Sequence, residues 1–244
     1  MPWLIFSDAT SGRRRKLAWA VAVLLLWLAL PLAAWSQNAE VLRADIAAKE
    51  AALGADHVEV AQSLARLAAL LYTQARYGDA EPLYKRSLAI REKILGPNHP
   101  LVVQSLNDLG VLFRTQGRYP EAEPLYLRSL AIREKTLGAN HPDTATSLNN
   151  LGRLFHDQGR FAEAEALYRR SLKIREESLG PMHPDVAFSL HNMGTLYWER
   201  GRFAEAEPIY KRSLAIREKS LSSGDAELAR SLNNLALLYW NQGR

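Results

Sequence analysis

The chain has 244 residues, six histidines, no cysteine and a net charge of +5. Without cysteine it forms neither a disulfide nor a thiolate metal site. Residues 1–36 carry +3 of the charge, so the remainder has only +2, and its basic residues alternate with glutamates as in Arg91-Glu92-Lys93. This pattern argues against a nucleic-acid surface.

The first predicted element is a signal peptide or membrane anchor at residues 1–36. A basic run from Arg13 to Lys16 precedes an uncharged run from Leu17 to Leu30, which Pro31 ends. The uncharged run fits a signal peptide cleaved before Gln37, but counted to Trp35 it approaches the ~20 residues of a membrane span. We expect the remainder of the chain to be periplasmic, or anchored in the inner membrane and facing the periplasm.

The rest of the chain repeats itself every 42 residues. Three kinds of short motif keep this step. They are His99-Pro100, His141-Pro142 and His183-Pro184; Arg86-Ser87-Leu88, Arg128-Ser129-Leu130, Arg170-Ser171-Leu172 and Arg212-Ser213-Leu214; and Ser105-Leu106-Asn107, Ser147-Leu148-Asn149, Ser189-Leu190-His191 and Ser231-Leu232-Asn233. Such dense self-similarity predicts a repeat array rather than one or two globular domains.

Each repeat predicts two helices, A and B. Apolar residues recur at helical spacing from Leu148 to Phe155, and Gln158-Gly159-Arg160 ends this helix A. A second stripe from Phe161 to Leu179 predicts helix B, with Gly180 at its C-cap. The next unit starts at His183-Pro184-Asp185, where proline at the first helical position and an acid in the first turn favour a helix start.

Small residues in mid-helix predict close packing. Glycine inside a helix costs about 1 kcal/mol relative to alanine, yet Gly110, Gly152 and Gly194 occupy the middle of helix A. We therefore expect a neighbouring helix to approach closely there. The predicted small residues of helix B are Ala80, Ala122, Ala164 and Ala206.

The constellation Leu148-x2-Leu151-Gly152-x2-Phe155…Gly159-x-Phe161-x2-Ala164-x3-Tyr168-x2-Ser171 resembles the tetratricopeptide repeat (TPR), with helix B extended. The motif Ala-Glu-Pro-Leu-Tyr-x-Arg-Ser-Leu-Ala-Ile-Arg-Glu-Lys is similar to TPRs of the kinesin light chain type. The resemblance covers Gly54 to Arg244. It implies an all-α, right-handed solenoid of antiparallel helix pairs.

The phase of the repeat places the ends of the array. Residues 37–54 are predicted to form a capping helix, because 46–54 aligns with 88–96 one period later and terminal repeats are atypical. Residues 55–244 are predicted to form four complete repeats and helix A of a fifth. On that last helix we expect an exposed stripe of Leu232, Leu235, Leu238 and Tyr239.

The sequence predicts neither catalysis nor metal binding. It has no His-Glu-x-x-His, no Gly-x-Ser-x-Gly and no phosphate-binding glycine loop. Four histidines recur at one phase of the repeat: His57, His99, His141 and His183. Equivalent positions of adjacent units are ~8–10 Å or more apart, too far for zinc ligands, so we interpret these histidines as loop or N-cap residues. His156 and His191 are expected to be solvated.

In TPR arrays the A helices line the concave side, and the resemblance places a polar ladder there. Its members are Arg66, Asn107, Asp108, Asn149, Asn150, His191, Asn192, Asn233 and Asn234. Asparagine donates and accepts hydrogen bonds, so it suits the backbone of an extended peptide, while Arg and Trp suit interface anchors. The predicted peptide-binding set is Asn107, Asn149, Asn150, Arg153, Asn192, Trp198 and Asn234. Alternatively, these asparagines bond between helices and the tryptophan packs on its neighbours.

The sequence thus predicts a non-enzymatic scaffold that binds a partner protein or an extended peptide on its concave face. No cofactor and no nucleic acid are expected, and membrane contact is expected only through residues 1–36. Bacterial arrays of this appearance sometimes precede a protease-like effector domain. The alternative is therefore the recognition part of a longer enzyme, which a coding sequence continuing past Arg244 would indicate.

Overall fold

The computed structural model describes residues 38–220 and 225–243, and all regular secondary structure within these ranges is α-helical. The predicted leader at residues 1–36 lies outside the described residues. Among the described helices, none combines the length and the apolar character needed to cross a membrane.

Ten helices follow one another along the described residues. They are α1 (38–53), α2 (Val58–Thr73), α3 (Tyr77–Leu95), α4 (Pro100–Thr115), α5 (Tyr119–Leu137), α6 (Pro142–Asp157), α7 (Phe161–Leu179), α8 (Pro184–Glu199), α9 (Phe203–Ser220) and α10 (Ala226–Asn241).

The helices stack as pairs in a single row. Helices α2, α4, α6 and α8 are the A helices of four units and pack on the B helices α3, α5, α7 and α9, respectively. Each B helix also packs on the A helix that follows it, and α10 packs on α9 and α8. The prediction of an all-α array of helix pairs is confirmed.

The recurring histidines are helix N-caps, as predicted. His99 Nδ1 accepts a hydrogen bond from the backbone N–H of Leu101 at 3.1 Å, and Pro100 takes the first helical position of α4. The other three histidines of this phase cap α2, α6 and α8 in the same way. Asp225 does so for α10, with its Oδ1 2.8 Å from the N–H of Glu227. Each cap satisfies a backbone donor that the helix leaves open.

The mid-helix glycines accept a tyrosine ring from the B helix of their own unit. A Cβ added at Gly152 would lie 2.7 Å from Cε1 of Tyr168, well inside van der Waals contact. Gly110 faces Tyr126 and Gly194 faces Tyr210 in the same arrangement. The expected close approach is confirmed, and the predicted alanines of helix B are fully buried. Because the rings fill the space, the core is continuous along the row of units.

An arginine that is buried or half-buried ties each B helix to the next A helix. Arg91 Nη1 donates to the carbonyl of Leu101 at 3.1 Å and to Ser105 Oγ at 2.8 Å. Arg133, Arg175 and Arg217 repeat this pair of contacts one, two and three units later. The repeated serines are therefore packing residues, in agreement with the sequence.

Helix α10 exposes only part of the predicted stripe. Leu238 has no exposed surface, whereas Leu232 is 49% and Trp240 81% exposed. Leu238 is equivalent to Leu154 and Leu196 of earlier units, which are also buried. The prediction was wrong at Leu238 because this position packs toward the preceding unit.

Candidate functional site

Five polar contacts join consecutive A helices, each between residues 43 positions apart. They are Tyr72 Oη to Thr115 Oγ1 (2.9 Å), Arg114 to Asp157 (2.6 Å), Asn149 to Asn192 (3.0 Å), His156 to Glu199 (2.8 Å) and His191 to Asn234 (3.5 Å). We call the surface that α2, α4, α6, α8 and α10 form together the A-helix face. The helices that form it carry all the residues of the predicted peptide-binding set.

Two predicted residues of this face bond to each other. Asn192 Nδ2 donates to Asn149 Oδ1, which bridges α8 and α6. Asn149 has no exposed surface and Asn192 is only 9% exposed. A side chain without exposed surface does not contact a peptide, so the predicted role of Asn149 is corrected to an interhelical bridge. The neighbouring Asn150 lies about 100° further round the helix, toward solvent.

The remaining predicted asparagines differ in the hydrogen bonds that their side chains form within the protein. Asn107, half-buried, accepts a hydrogen bond from Ser129 Oγ at 3.0 Å. Asn234, also half-buried, lies 3.5 Å from His191 Nδ1. Asn150 is half-buried too, and no described residue hydrogen-bonds to its side chain. Its amide therefore has both a donor and an acceptor to offer a ligand.

Arg153 and Trp198 are placed differently on the face. Arg153 is exposed, lies one turn after Asn150 on α6, and forms no hydrogen bond or ion pair with a described residue. Trp198 is half-buried and packs against the core. With Asn234 and Leu237 it lines a small cavity of about 60 Å³. Arg153 is thus available to a ligand, whereas Trp198 offers only part of its ring.

The prediction that His191 and His156 are solvated was wrong. His191 is 9% exposed, and burial, with smaller contributions from Arg230, Arg217 and Arg153, lowers its pKa to about 4. Its imidazole is therefore neutral at physiological pH. His156 Nε2 lies 2.8 Å from Glu199 Oε2, with 12% of its side chain exposed. The interhelical contacts explain both differences.

A groove of about 400 Å³ opens at the first end of the face, between α2 and α4 with α3 as its floor. Asp108 lines it, and burial raises the pKa of this carboxyl to about 6 although the charge of Arg91 opposes the shift. Gln62 and Gln104 also line the groove and were not predicted. They share one phase of the 42-residue repeat, a signal that could have found them.

The stacked helix pairs with their glycine–tyrosine packing define the class of helical repeat solenoids. Sequence comparison agrees: the profile of the tetratricopeptide repeat family matches in five overlapping stretches, which are 45–93, 59–135, 106–177, 156–219 and 185–244. The chain belongs to the tetratricopeptide repeat family. This fold is a general scaffold for protein interaction, and the comparison with curated proteins gives no significant match.

Solved structures of the kinesin light chain type are similar to the chain. BtubC (BKLC) from P. vanneervenii has a TM-score of 0.66 and 25% identity, covering 86% of this chain and 82% of that one. A putative kinesin light chain of Podosopora anserina with nearly identical TPR-like repeats has a TM-score of 0.63 and 28% identity, covering 77% and 89%. A variant of that second protein has a TM-score of 0.64, also with 28% identity, and covers 77% and 88%. The predicted resemblance to kinesin light chain repeats is confirmed.

Proposed function

We propose that the chain is a scaffold that binds an extended peptide or protein segment along the A-helix face, as the concave side of the solenoid. The observation that carries this proposal is the pair Asn150 and Arg153 on α6. Both side chains reach the surface and neither bonds to a described residue. Polar groups that the fold does not use are free to bind a partner.

The chemistry of this pair suits a peptide main chain with a nearby acid. The Asn150 amide would donate to a peptide carbonyl and accept from a peptide N–H, as a strand neighbour does. Arg153 would pair with a carboxylate or cover an apolar side chain with its methylene stem. Asn192 and Asn107 would then support the ligand from below rather than bind its backbone, because their amides are engaged inside the protein.

The surface that the B helices α3, α5, α7 and α9 form together, the B-helix face, is less suited to a partner because a recurring row of its arginines is already paired. Arg170 pairs with Glu134 of the preceding B helix at 2.6 Å, and Arg128 pairs likewise with Glu92. Arg212 repeats the pair with Glu176. A ligand on this face would have to displace existing ion pairs. The contrast between the two faces supports the A-helix face as the binding surface.

We also propose that residues 1–36 direct export, so that the array acts in the periplasm or faces it from the inner membrane. The basic run followed by an uncharged run supports this. No catalytic step is proposed for the chain. Within a longer enzyme the same face would serve to recognise the substrate protein.

The test is selection of binders from a random twelve-residue peptide phage library with the full-length protein. Asn150→Ala combined with Arg153→Ala should weaken selected peptides about 3- to 70-fold, from one neutral hydrogen bond and one exposed ion pair. Leu127→Ala and Lys135→Ala, exposed on the B helix α5, are the matched controls and should leave binding unchanged. Full binding by the A-face variant, with loss in the controls, would show that the partner uses the other face.

A further inference from the structure

The polar pairs that join consecutive A helices at this phase of the repeat form only from α6 onward, since Asn107 and Asn150 do not bond to each other. Asn149 with Asn192, and His191 with Asn234, are in contact across 43 positions. The corresponding pair at the first unit is Ala65 with Asp108. A methyl group offers no hydrogen bond, so the Asp108 carboxylate has neither a donor nor an ion-pair partner among the described residues.

The small side chain at position 65 also leaves space. The groove of about 400 Å³ lies where a larger residue of α2 would otherwise approach α4. Its apolar lining includes Val58, Ala65, Ala69 and Leu101. These side chains are all partly or fully open to solvent. The groove therefore combines this apolar lining with one carboxylate, that of Asp108, and its other polar lining residues are Gln62, Gln104, Tyr84, Arg66 and Arg91.

The nearest positive charge does not satisfy this carboxylate. The Nη1 of Arg91 is committed to Leu101 and Ser105, the same structural contact that every unit makes. Its Nε lacks a partner among the described residues, yet no hydrogen bond or ion pair joins it to Asp108. The raised pKa of Asp108 shows that burial outweighs the attraction to Arg91. A half-buried carboxylate without a donor keeps only part of its hydration, and a ligand that supplies a donor stabilises its charged form.

We propose that this groove, which we call the Asp108 groove, binds a lysine or arginine side chain of the peptide on the A-helix face. The aliphatic stem packs along Ala65 and Ala69, and the cationic head donates to the Asp108 carboxylate. This inference rests on the proposed function and adds a specificity to it. Arg66 also lines the groove, is exposed, and forms no hydrogen bond or ion pair with Asp108.

The preference for a basic side chain is confined to one end of the array. The equivalents of Asp108 in later units are Asn150, Asn192 and Asn234, which are neutral. The charge available to a ligand then differs in sign between two units of the face. It is negative at Asp108 on α4 and positive at Arg153 on α6. The bound peptide has its basic residue between α2 and α4 and its acidic or apolar residue near α6.

The experiment uses full-length protein with ¹³C-labelled alanine methyl groups, followed by NMR. The probes are blocked seven-residue peptides of serine and alanine with Lys, Gln or Glu at the centre. The lysine peptide should shift the Ala65 and Ala69 methyl signals saturably, at least 5-fold more tightly than the glutamine peptide. Asp108→Asn should abolish this difference, because it keeps the shape and removes the charge. Glu177→Gln, which removes an exposed charge from α7, is the matched control and should preserve the difference.

Three outcomes would overturn the proposal that the Asp108 groove binds a basic side chain. The first is tighter binding of the glutamate peptide, which would mean that Arg66 and Arg91 select anions. The second is lysine binding that Asp108→Asn leaves intact. The third is butylammonium binding as tightly as the lysine peptide, which would indicate a small-amine site. If phage-selected peptides remain sensitive to Asn150 and Arg153 in any of these cases, the proposed function stands and only the groove's specificity is refuted.

Discussion

Asp108→Asn should stabilise the fold at neutral pH. Asparagine has nearly the same shape and already occupies the equivalent positions 150, 192 and 234. The substitution removes a carboxylate whose charged form burial disfavours. The residue thus costs stability while serving a binding role, a trade that is common at functional sites.

The magnitude follows from the pKa of Asp108, which rises from 3.8 to about 6 on folding. The folded state holds the proton more tightly, so the charged carboxylate destabilises it above pH ~6, and this loss fades as the pH falls toward ~4. Linkage gives about 3 kcal/mol at pH ~7.5 and about 1 kcal/mol at pH ~4.5 as upper limits. Because the side chain is partly exposed, solvent screening reduces these to roughly half. Arg91 on the α3 floor, Arg66 on α2 and Tyr84 are the titratable or charged neighbours in the groove.

The assay compares urea unfolding midpoints of parent and Asp108→Asn at the two pH values. Hydrogen exchange in α4 complements it, because repeat arrays do not always unfold in one step. The matched control is Asn150→Asp, the reverse change one unit later, which should destabilise at pH ~7.5. An unchanged or lowered midpoint for Asp108→Asn at pH ~7.5, or a gain of equal size at both values, would refute the reasoning.

Three further predictions concern packing, the array's end and the leader. Gly152→Ala should cost ~1–3 kcal/mol in thermal unfolding because its Cβ would meet a tyrosine ring at 2.7 Å. Gly78→Ala, whose Cβ meets nothing within 4 Å, should stabilise by ~0.5–1 kcal/mol; equal effects would contradict the packing argument. Amides of α10 should exchange much faster than those of α6, since Leu232, Leu237 and Trp240 are exposed; equal protection in a monomer would oppose this. Intact-mass measurement after bacterial expression should give a mature protein starting at Gln37, and a membrane-bound chain retaining Met1 would mean an anchor instead.

Most of the fold could be predicted because the residues that cap and pack the helices recur in every unit. Each His-Pro start caps a helix, and each mid-helix glycine meets a tyrosine, so one unit is a template for the others. The exact rotation of each A helix is not set locally. Asn149 and Asn150 are adjacent in sequence, yet packing buries the first and leaves the second at the surface. Only the arrangement of the neighbouring helices decides that Asn149 bridges two helices and that Asn150 can contact a ligand.

The Asp108 groove could not be predicted from the 42-residue period for a related reason. Side chains that meet across consecutive A helices are 43 positions apart, one more than the period. The extra residue reflects how each unit is offset against the next. Aligning the units on the 42-residue period matches Asp108 with Arg66. The residue that lies opposite Asp108 on the preceding A helix is instead Ala65.

The arginines that precede the B helices have a consequence for how such an array changes in length. Arg118 pairs with Glu81, Arg160 with Glu123 and Arg202 with Glu165, each pair 37 positions apart. Duplicating or deleting one whole unit inside the array recreates the same pair at the new junction, so the number of units can vary without redesign of the joints. The pairing of an alanine with an aspartate occurs at one junction only. Copying an inner unit would lengthen the scaffold and leave a single Asp108 groove at its first junction.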